Sequence, residues 1–245
     1  MSSIHTLNKG PSPDWINALY EAVFSAGEHL EIRGQGCTEL IGVSFFFGRD
    51  EWFIKGDHMP VNYDYIKEEL RWYHLGREGD DSIRKHAKIW EALASEGTLN
   101  SNYGVQLNNN LTRVVEELIN DPNSRRAVVL LNRPEHNYTG QVDVPCTMYL
   151  QFLIRGGRLH MIANMRSQDA YFGLRNDLPA FQFLKMKTAW CCDVPPGNLY
   201  LRVGSWHIYD AHLEHIKKNL GTMRMVEPPF TDYEECMRWL LGSPS

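Results

Sequence analysis

Long apolar runs are missing from this 245-residue chain. None approaches the ~18 residues a membrane-spanning helix needs, and no charged segment followed by an apolar core opens it. A soluble protein without a membrane partner is expected. Cysteine is scarce: Cys37, Cys146, Cys191, Cys192 and Cys236 are odd in number and lack the spacing of a disulfide framework. A reducing, cytoplasmic location is the simpler reading. Positive charge is not in surplus either, with 25 Lys and Arg against 30 Asp and Glu and a net charge of −5. That argues against a nucleic-acid groove and leaves any phosphate to local arginines. The 43% hydrophobic content is ample for a core. Nothing in the length forces a split, so residues 1–245 are read as a single domain, with 1–13 and about 228–245 peripheral.

The most informative stretch runs over 143–177. Strand formers over 147–154 stop at Gly156-Gly157, and a second run starts at Arg158, which predicts a β-hairpin with a two-residue turn. With Arg155 opposite Arg158, counting back places Cys146 opposite Ser167, close to Arg166. Strict alternation puts Arg166 on the other face from Cys146, so both serve one site only if a bulge or twist intervenes. The pattern suggests a reactive cysteine beside an anion site.

Elsewhere the apolar spacing predicts a helix over 14–26 starting at Ser12, a Gly-punctuated loop over 31–37 and a strand over 39–47. Helices follow over 63–75 and 83–94, then a polar turn over 100–104, a helix over 111–120 and a strand over 127–131. A buried helix over 180–190 and a strand over 199–203 complete the reading. Glu69 sits at the edge of the apolar face of the 63–75 helix, where a glutamate is ordinarily a solvated flank. Arg33 in the loop and the Arg125-Arg126 pair read equally well as solvated cations. Trp90 and Tyr103 read equally well as core. His207, Tyr209 and His212 are close in sequence, but no further ligand has metal spacing, so no metal is expected.

Together these segments resemble the thymidylate synthase family. The match comprises Pro-Cys-x4-Gln-Phe (Pro145, Cys146, Gln151, Phe152), Arg-Ser-x-Asp (Arg166, Ser167, Asp169), Gly173, and His-Ile-Tyr-x-x-His (His207, Ile208, Tyr209, His212). Upstream come Asp-Pro-Asn-Ser-Arg-Arg (121–126), Asn-Tyr-Gly (102–104), Ile89-Trp90 and Glu-Glu-Leu-Arg-Trp (68–72), all in family order across about 30–215. The resemblance implies an α+β fold, a mixed β-sheet with flanking helices, and a homodimer packed through the sheets. It implies Cys146 as nucleophile, with Glu69, Tyr103 and Asp177 as further catalytic groups. Substrate binding falls to Arg33, Arg166, Ser167, Asp169, Asp177, His207 and Tyr209, with Arg125 and Arg126 reaching the partner's nucleotide phosphate. Trp90, Asp169 and Gly173 would hold the co-substrate, 5,10-methylenetetrahydrofolate.

Two positions depart from the family pattern. Asp177 stands where the family reads the base with asparagine, and Thr147 follows the nucleophile where histidine is usual. This form is similar to the cytidylate hydroxymethylase branch. Hydrogen bonding supports that reading: uracil offers an N3–H donor and an O4 acceptor, which suit an amide, whereas cytosine reverses both. Asp177 fits cytosine as a neutral acid or as a carboxylate against N3-protonated cytosine. Facing uracil would cost roughly 2–6 kcal/mol for two mismatched groups. The expected reaction is 5-hydroxymethylation of a cytidine monophosphate, dCMP first and CMP second, through a Cys146–C6 adduct with Arg166 favouring the thiolate. Methylation with hydride transfer, or a non-catalytic nucleotide- or RNA-binding relic, are the alternatives. Beyond Pro228 the chain departs from the family's C-terminal lid.

Overall fold

The structure is a computed structural model and describes residues 14–94, 99–137 and 140–242. In chain order, α1 (Trp15–Ala26) leads into the strands β1 (Glu28–Ile32), β2 (Gln35–Phe47) and β3 (Phe53–Lys55). Next come α2 (Tyr63–Leu75), α3 (Lys88–Leu93), α4 (Tyr103–Asn120) and β4 (Val128–Leu130). The central hairpin is β5 (Thr147–Arg155) and β6 (Arg158–Asp169), followed by α5 (Gly173–Cys191) and β7 (Pro196–Tyr209). The chain closes with α6 (Asp210–Lys217), β8 (Arg224–Val226) and α7 (Tyr233–Leu241). Six strands form one mixed sheet in the order β1-β2-β7-β6-β5-β4. Among the described strands only β6 and β7 are parallel, with α5 as their crossover, and β3 pairs with β8 in a separate ribbon. This is an α+β fold.

The hairpin turns as expected, with Arg155 opposite Arg158 and both Gly156 (φ 58°) and Gly157 (φ 70°) in the left-handed region. The ladder then slips between Thr147 and Tyr149, so Thr147 faces Met165. The backbone N–H of Arg166 consequently donates to the carbonyl of Cys146 (2.8 Å), one residue before Thr147, the acceptor a regular ladder gives. This is the bulge that a shared site requires. One sheet face carries Leu150, Phe152, Leu159, Met161, Leu199 and Leu201, all fully buried beneath the helices.

Several expected elements shift. The loop over 31–37 is the end of a β1–β2 hairpin, because Arg33 (φ 53°) and Gly34 (φ 76°) make a tight turn. The 83–94 helix breaks into a 3-10 turn (Ser82–Lys85) and α3, which lets both Ile83 and Trp90 face the core. The polar turn at 100–104 and the helix at 111–120 merge, since α4 starts at Tyr103. α5 starts seven residues before the expected 180, ahead of Pro179, because the Asp169 carboxylate accepts the N–H groups of Tyr171 (2.9 Å) and Phe172 (3.2 Å) at its entry. That places Asp177 on a helix. β7 continues past 203 to Tyr209 because both neighbours pair with it that far, Cys37 opposite Tyr209 and Asp169 opposite His207.

Ser12, the expected start of the first helix, and the rest of 1–13 lie outside the described residues. The segment expected to be peripheral from about 228 is packed: Phe230, Tyr233, Cys236 and Leu240 are buried, and Arg71 on α2 donates to the Leu240 carbonyl at 2.7 Å. No described helix is long and apolar enough to cross a membrane.

Candidate active site

The bulge aims Cys146 and Ser167 at each other, with Ser167 Oγ 3.7 Å from Cys146 Sγ. Arg166 supports the approach to the thiol, donating from Nη2 to the Val144 carbonyl (2.7 Å) and from Nε to the Pro145 carbonyl (3.2 Å). Burial pushes the Cys146 thiol above its ordinary pKa, and Arg166 and Ser167 offset only part of that rise. Arg166 thus favours the anion as expected, but burial outweighs it in the unliganded protein.

Glu69 is not a solvated flank. It is 4% exposed. Its Oε1 accepts from the Tyr65 hydroxyl at 3.1 Å, with the Tyr73 hydroxyl at 3.5 Å, while Oε2 is buried with no partner among the described residues. Tyr65 in turn accepts from Trp90 Nε1 at 2.8 Å, so Trp90 is tied to the glutamate through one hydroxyl. Burial, reinforced by the nearby Asp177, pushes Glu69 up to about 8. Burial pushes Asp177 up to about 7, against the N–H that Gln168 donates to it at 2.9 Å. The two carboxyls therefore ionise around neutral pH, where acid and base forms are both accessible.

α4 brings Tyr103 to the same place. Gly104 makes this possible, since a Cβ there would lie 1.9 Å from the Tyr73 carbonyl oxygen of α2. Tyr103 stacks on Tyr73 (centroids 5.5 Å, planes 2° apart), and its phenol lies against Thr147 and near Asp177 and Cys146. On the opposite rim, His207 and Tyr209 meet edge to face at 4.9 Å, and Tyr209 senses Asp169, Cys37, Cys146 and Arg33. Gly173 lies against Gln168, Asp169 and Asp177, at the first turn of α5.

Cys146, Ser167, Arg166, Glu69, Tyr103 and Asp177 thus form one connected cluster, with Trp90 linked through Tyr65 and Tyr209 near Cys146. Arg125 and Arg126 do not join them. Arg126 pairs with Glu117 at 3.0 Å, and its side chain is 80% exposed. The Arg125 carbonyl is held by Gln151 at 2.9 Å, well along β5 from the thiol. Sequence reading missed Tyr65 and Gln168. Tyr65 was discoverable, four residues before Glu69 on the same helix face. Gln168, the variable residue of Arg-Ser-x-Asp, carried no such signal.

A family model described as thymidylate synthase matches residues 17–231. The chain is also similar to the deoxycytidylate 5-hydroxymethyltransferases of Enterobacteria phages T4, T2 and T6. Each is 34% identical over 201 residues, covering 75% of this chain and 80% of the relative. With that match, and with the motif residues brought into one cluster, the chain belongs to the thymidylate synthase family.

Proposed function

We propose that this chain converts dCMP to its 5-hydroxymethyl derivative, with 5,10-methylenetetrahydrofolate as one-carbon donor and water as the source of the hydroxyl. The observation that carries the reading is the half-buried Asp177 carboxyl, near Glu69 and held by Gln168, where the family pattern has an amide. The phage relatives, named for action on deoxycytidylate, support dCMP over CMP.

In this reading the Cys146 thiolate adds to pyrimidine C6, which makes C5 nucleophilic. Asp177 accepts from the 4-amino group and from N3–H of the protonated ring, drawing electrons from C6. The residues present fit the folate: Trp90, joined to Glu69 through Tyr65, and Asp169 and Gly173, beside Gln168 and Asp177, would hold it, and Glu69 Oε2, without a partner among the described residues, leaves an acceptor free. When bound, the folate would supply the one-carbon unit to C5; the C5 proton is lost and tetrahydrofolate departs to leave the C5 methylene, and the Cys146 thiolate leaves C6 once water has added. Glu69 orders and deprotonates the water that adds to the C5 methylene, and a pKa near neutrality lets it take and return that proton. Tyr103 closes the pocket over the thiol. Arg33, Arg166 and Ser167 bind the phosphate, and His207 and Tyr209 the sugar. In a reducing cytoplasm the thiol stays free.

A second copy completes the assembly in this reading. The sheet face turned away from the helices carries the exposed Ile41 and the partly exposed Phe46, Ile162 and Tyr200, with the exposed Arg202 among them, a partly apolar surface suited to a twofold partner. Arg125 and Arg126 then reach the partner's phosphate. The test is an end-point incubation with methylenetetrahydrofolate and dCMP, CMP, dUMP or UMP, read by mass. A gain of CH2O on dCMP is expected. A gain of CH2 identifies methylation, and no gain on any substrate overturns the enzyme reading.

A further inference from the structure

We infer that Gln168 is a positioning residue that holds Asp177 in its carboxylate form for reading the base, and that residue 173 is glycine to leave room for it. The inference rests on the dCMP reading above and concerns how its specificity is set.

Gln168 is 2% exposed, on β6 between the anion-binding Ser167 and the capping Asp169. Its Nε2 faces two acceptors, Asp177 Oδ2 at 2.9 Å and the Asp169 carbonyl at 3.5 Å. Two oxygens on that side fix the amide with its donor toward Asp177. Its Oε1 is buried with no partner among the described residues. A buried, half-satisfied amide is costly, so its retention needs a return. An N–H donor aimed at a carboxyl favours the ionised form, whereas a flipped amide would favour the acid. One oxygen of Asp177 is thereby engaged, and the carboxylate is oriented before the base arrives.

The neighbourhood otherwise opposes ionisation. Asp177 faces Glu69, Tyr65 and Tyr73 from α2, Tyr103 from α4, Asp169 from β6, and Cys146 at the start of β5. None of these is a cation, and Gln168 donates the one side-chain hydrogen bond recorded at the Asp177 carboxyl among the described residues. A Cβ at residue 173 would lie 2.8 Å from Gln168 Nε2 and 3.3 Å from Asp169 Cβ, in the space the amide uses.

The test uses the full chain without ligand. Aspartate carboxyls are labelled with 13C, the Asp177 signal is assigned with Asp177→Asn, and its titration is followed in wild type, Gln168→Met, Gln168→Glu and Gly173→Ala. Gln168→Glu keeps the side-chain shape if Gln168→Met folds poorly. All three variants should raise the Asp177 midpoint, by about one pH unit for Gln168→Met. With dCMP, the acid limb of kcat/KM should move up equally. Gln168→Met should cost about fivefold at pH 7 in the wild-type background but under about twofold when Asp177 is already Asn. An unmoved midpoint, a midpoint that falls, or an equal loss in the Asp177→Asn background overturns the inference. The titration needs no substrate. If wild type fails to turn over dCMP, the functional reading fails while the carboxyl test still decides this one.

Discussion

The carboxyl pocket at Glu69 and Asp177 and the arginine corner at Arg125-Arg126 both gather charge, under opposite conditions. In the pocket, burial first and neighbouring carboxyls second move both acids toward neutrality, and each contact is made within the same chain. At the corner, Arg126 meets Glu117 in solvent, where screening leaves such pairs little influence. The separation is built in by the sheet. Arg125 is tied to Gln151, five residues along β5 from Cys146, or roughly 16 Å of strand. Contacts in the pocket are therefore set by one chain, while the corner's proposed role is toward a partner's phosphate.

The largest effect should come from the pocket. Cys146→Ser is expected to fold and to lose more than about a hundredfold in turnover, because an alcohol is almost never ionised at neutral pH. Cys191→Ser, at the far end of α5, serves as control and should stay within about twofold of wild type. Substantial activity in Cys146→Ser, measured by tritium release from C5, would remove the covalent mechanism.

The corner is tested by mixing chains. Arg126→Ala alone should lower kcat/KM by about 10–100-fold, the range of a lost charge-assisted phosphate contact. Mixed with Cys146→Ser and allowed to exchange, it should regain about a quarter of wild-type activity. Half of the randomly formed twofold pairs are then mixed, and each has one complete site. No recovery after verified exchange would place the arginines outside the partner's site. The melting temperature of Arg126→Ala should not change.

Much of this comparison was legible in the sequence, for definable reasons. The hairpin followed from Gly156-Gly157, and the need for a bulge followed from the clash between two-residue alternation and a shared site for Cys146 and Arg166. The helix over 63–75 came out with its observed limits, since Asn62 and Gly76 cap it. Tertiary effects stayed hidden. The inward turn of Glu69 depends on Tyr65 and Tyr73 engaging the carboxylate, which spacing alone ranks below solvation. α5 reaches back to Gly173 only because Asp169, from a different element, satisfies its first donors. The packing of α7 beside α2 left no periodic signature that tied it to the pocket.

Within the pocket, Asp177→Asn should shift the ratio of kcat/KM for dCMP over dUMP by at least about tenfold, roughly 1.4 kcal/mol. The amide can accept from N3–H and donate to O4 of uracil, while N3 protonation of cytosine loses its partner. The same change should alter stability against pH. Folding raises the Asp177 pKa from 3.8 to about 7, so the folded chain holds a proton there that the unfolded chain has lost. Stability contributed by the neutral acid is thus full below about pH 4 and declines as pH rises to about 7. Urea midpoints of Asp177→Asn should fall less across that window, and equal slopes for the two proteins would contradict the burial of an ionisable group there.

The smallest effect is the one that separates positioning from packing. Tyr65→Phe removes the hydroxyl between Trp90 and Glu69 and leaves Glu69 only the longer contact from Tyr73. A single net hydrogen bond is worth about 0.5–1.5 kcal/mol, so kcat should drop about 2–10-fold at pH 7. Because the Tyr65 hydroxyl lowers the Glu69 pKa, its removal should move the limb that requires ionised Glu69 to higher pH, with activity recovering there. KM for dCMP should stay within about twofold, since Tyr65 touches the glutamate and the tryptophan and not the base-reading carboxyl. A uniform loss at every pH would mean that the hydroxyl only fills space. A shifted limb would show that one neutral contact inside the pocket tunes the proton on which turnover depends.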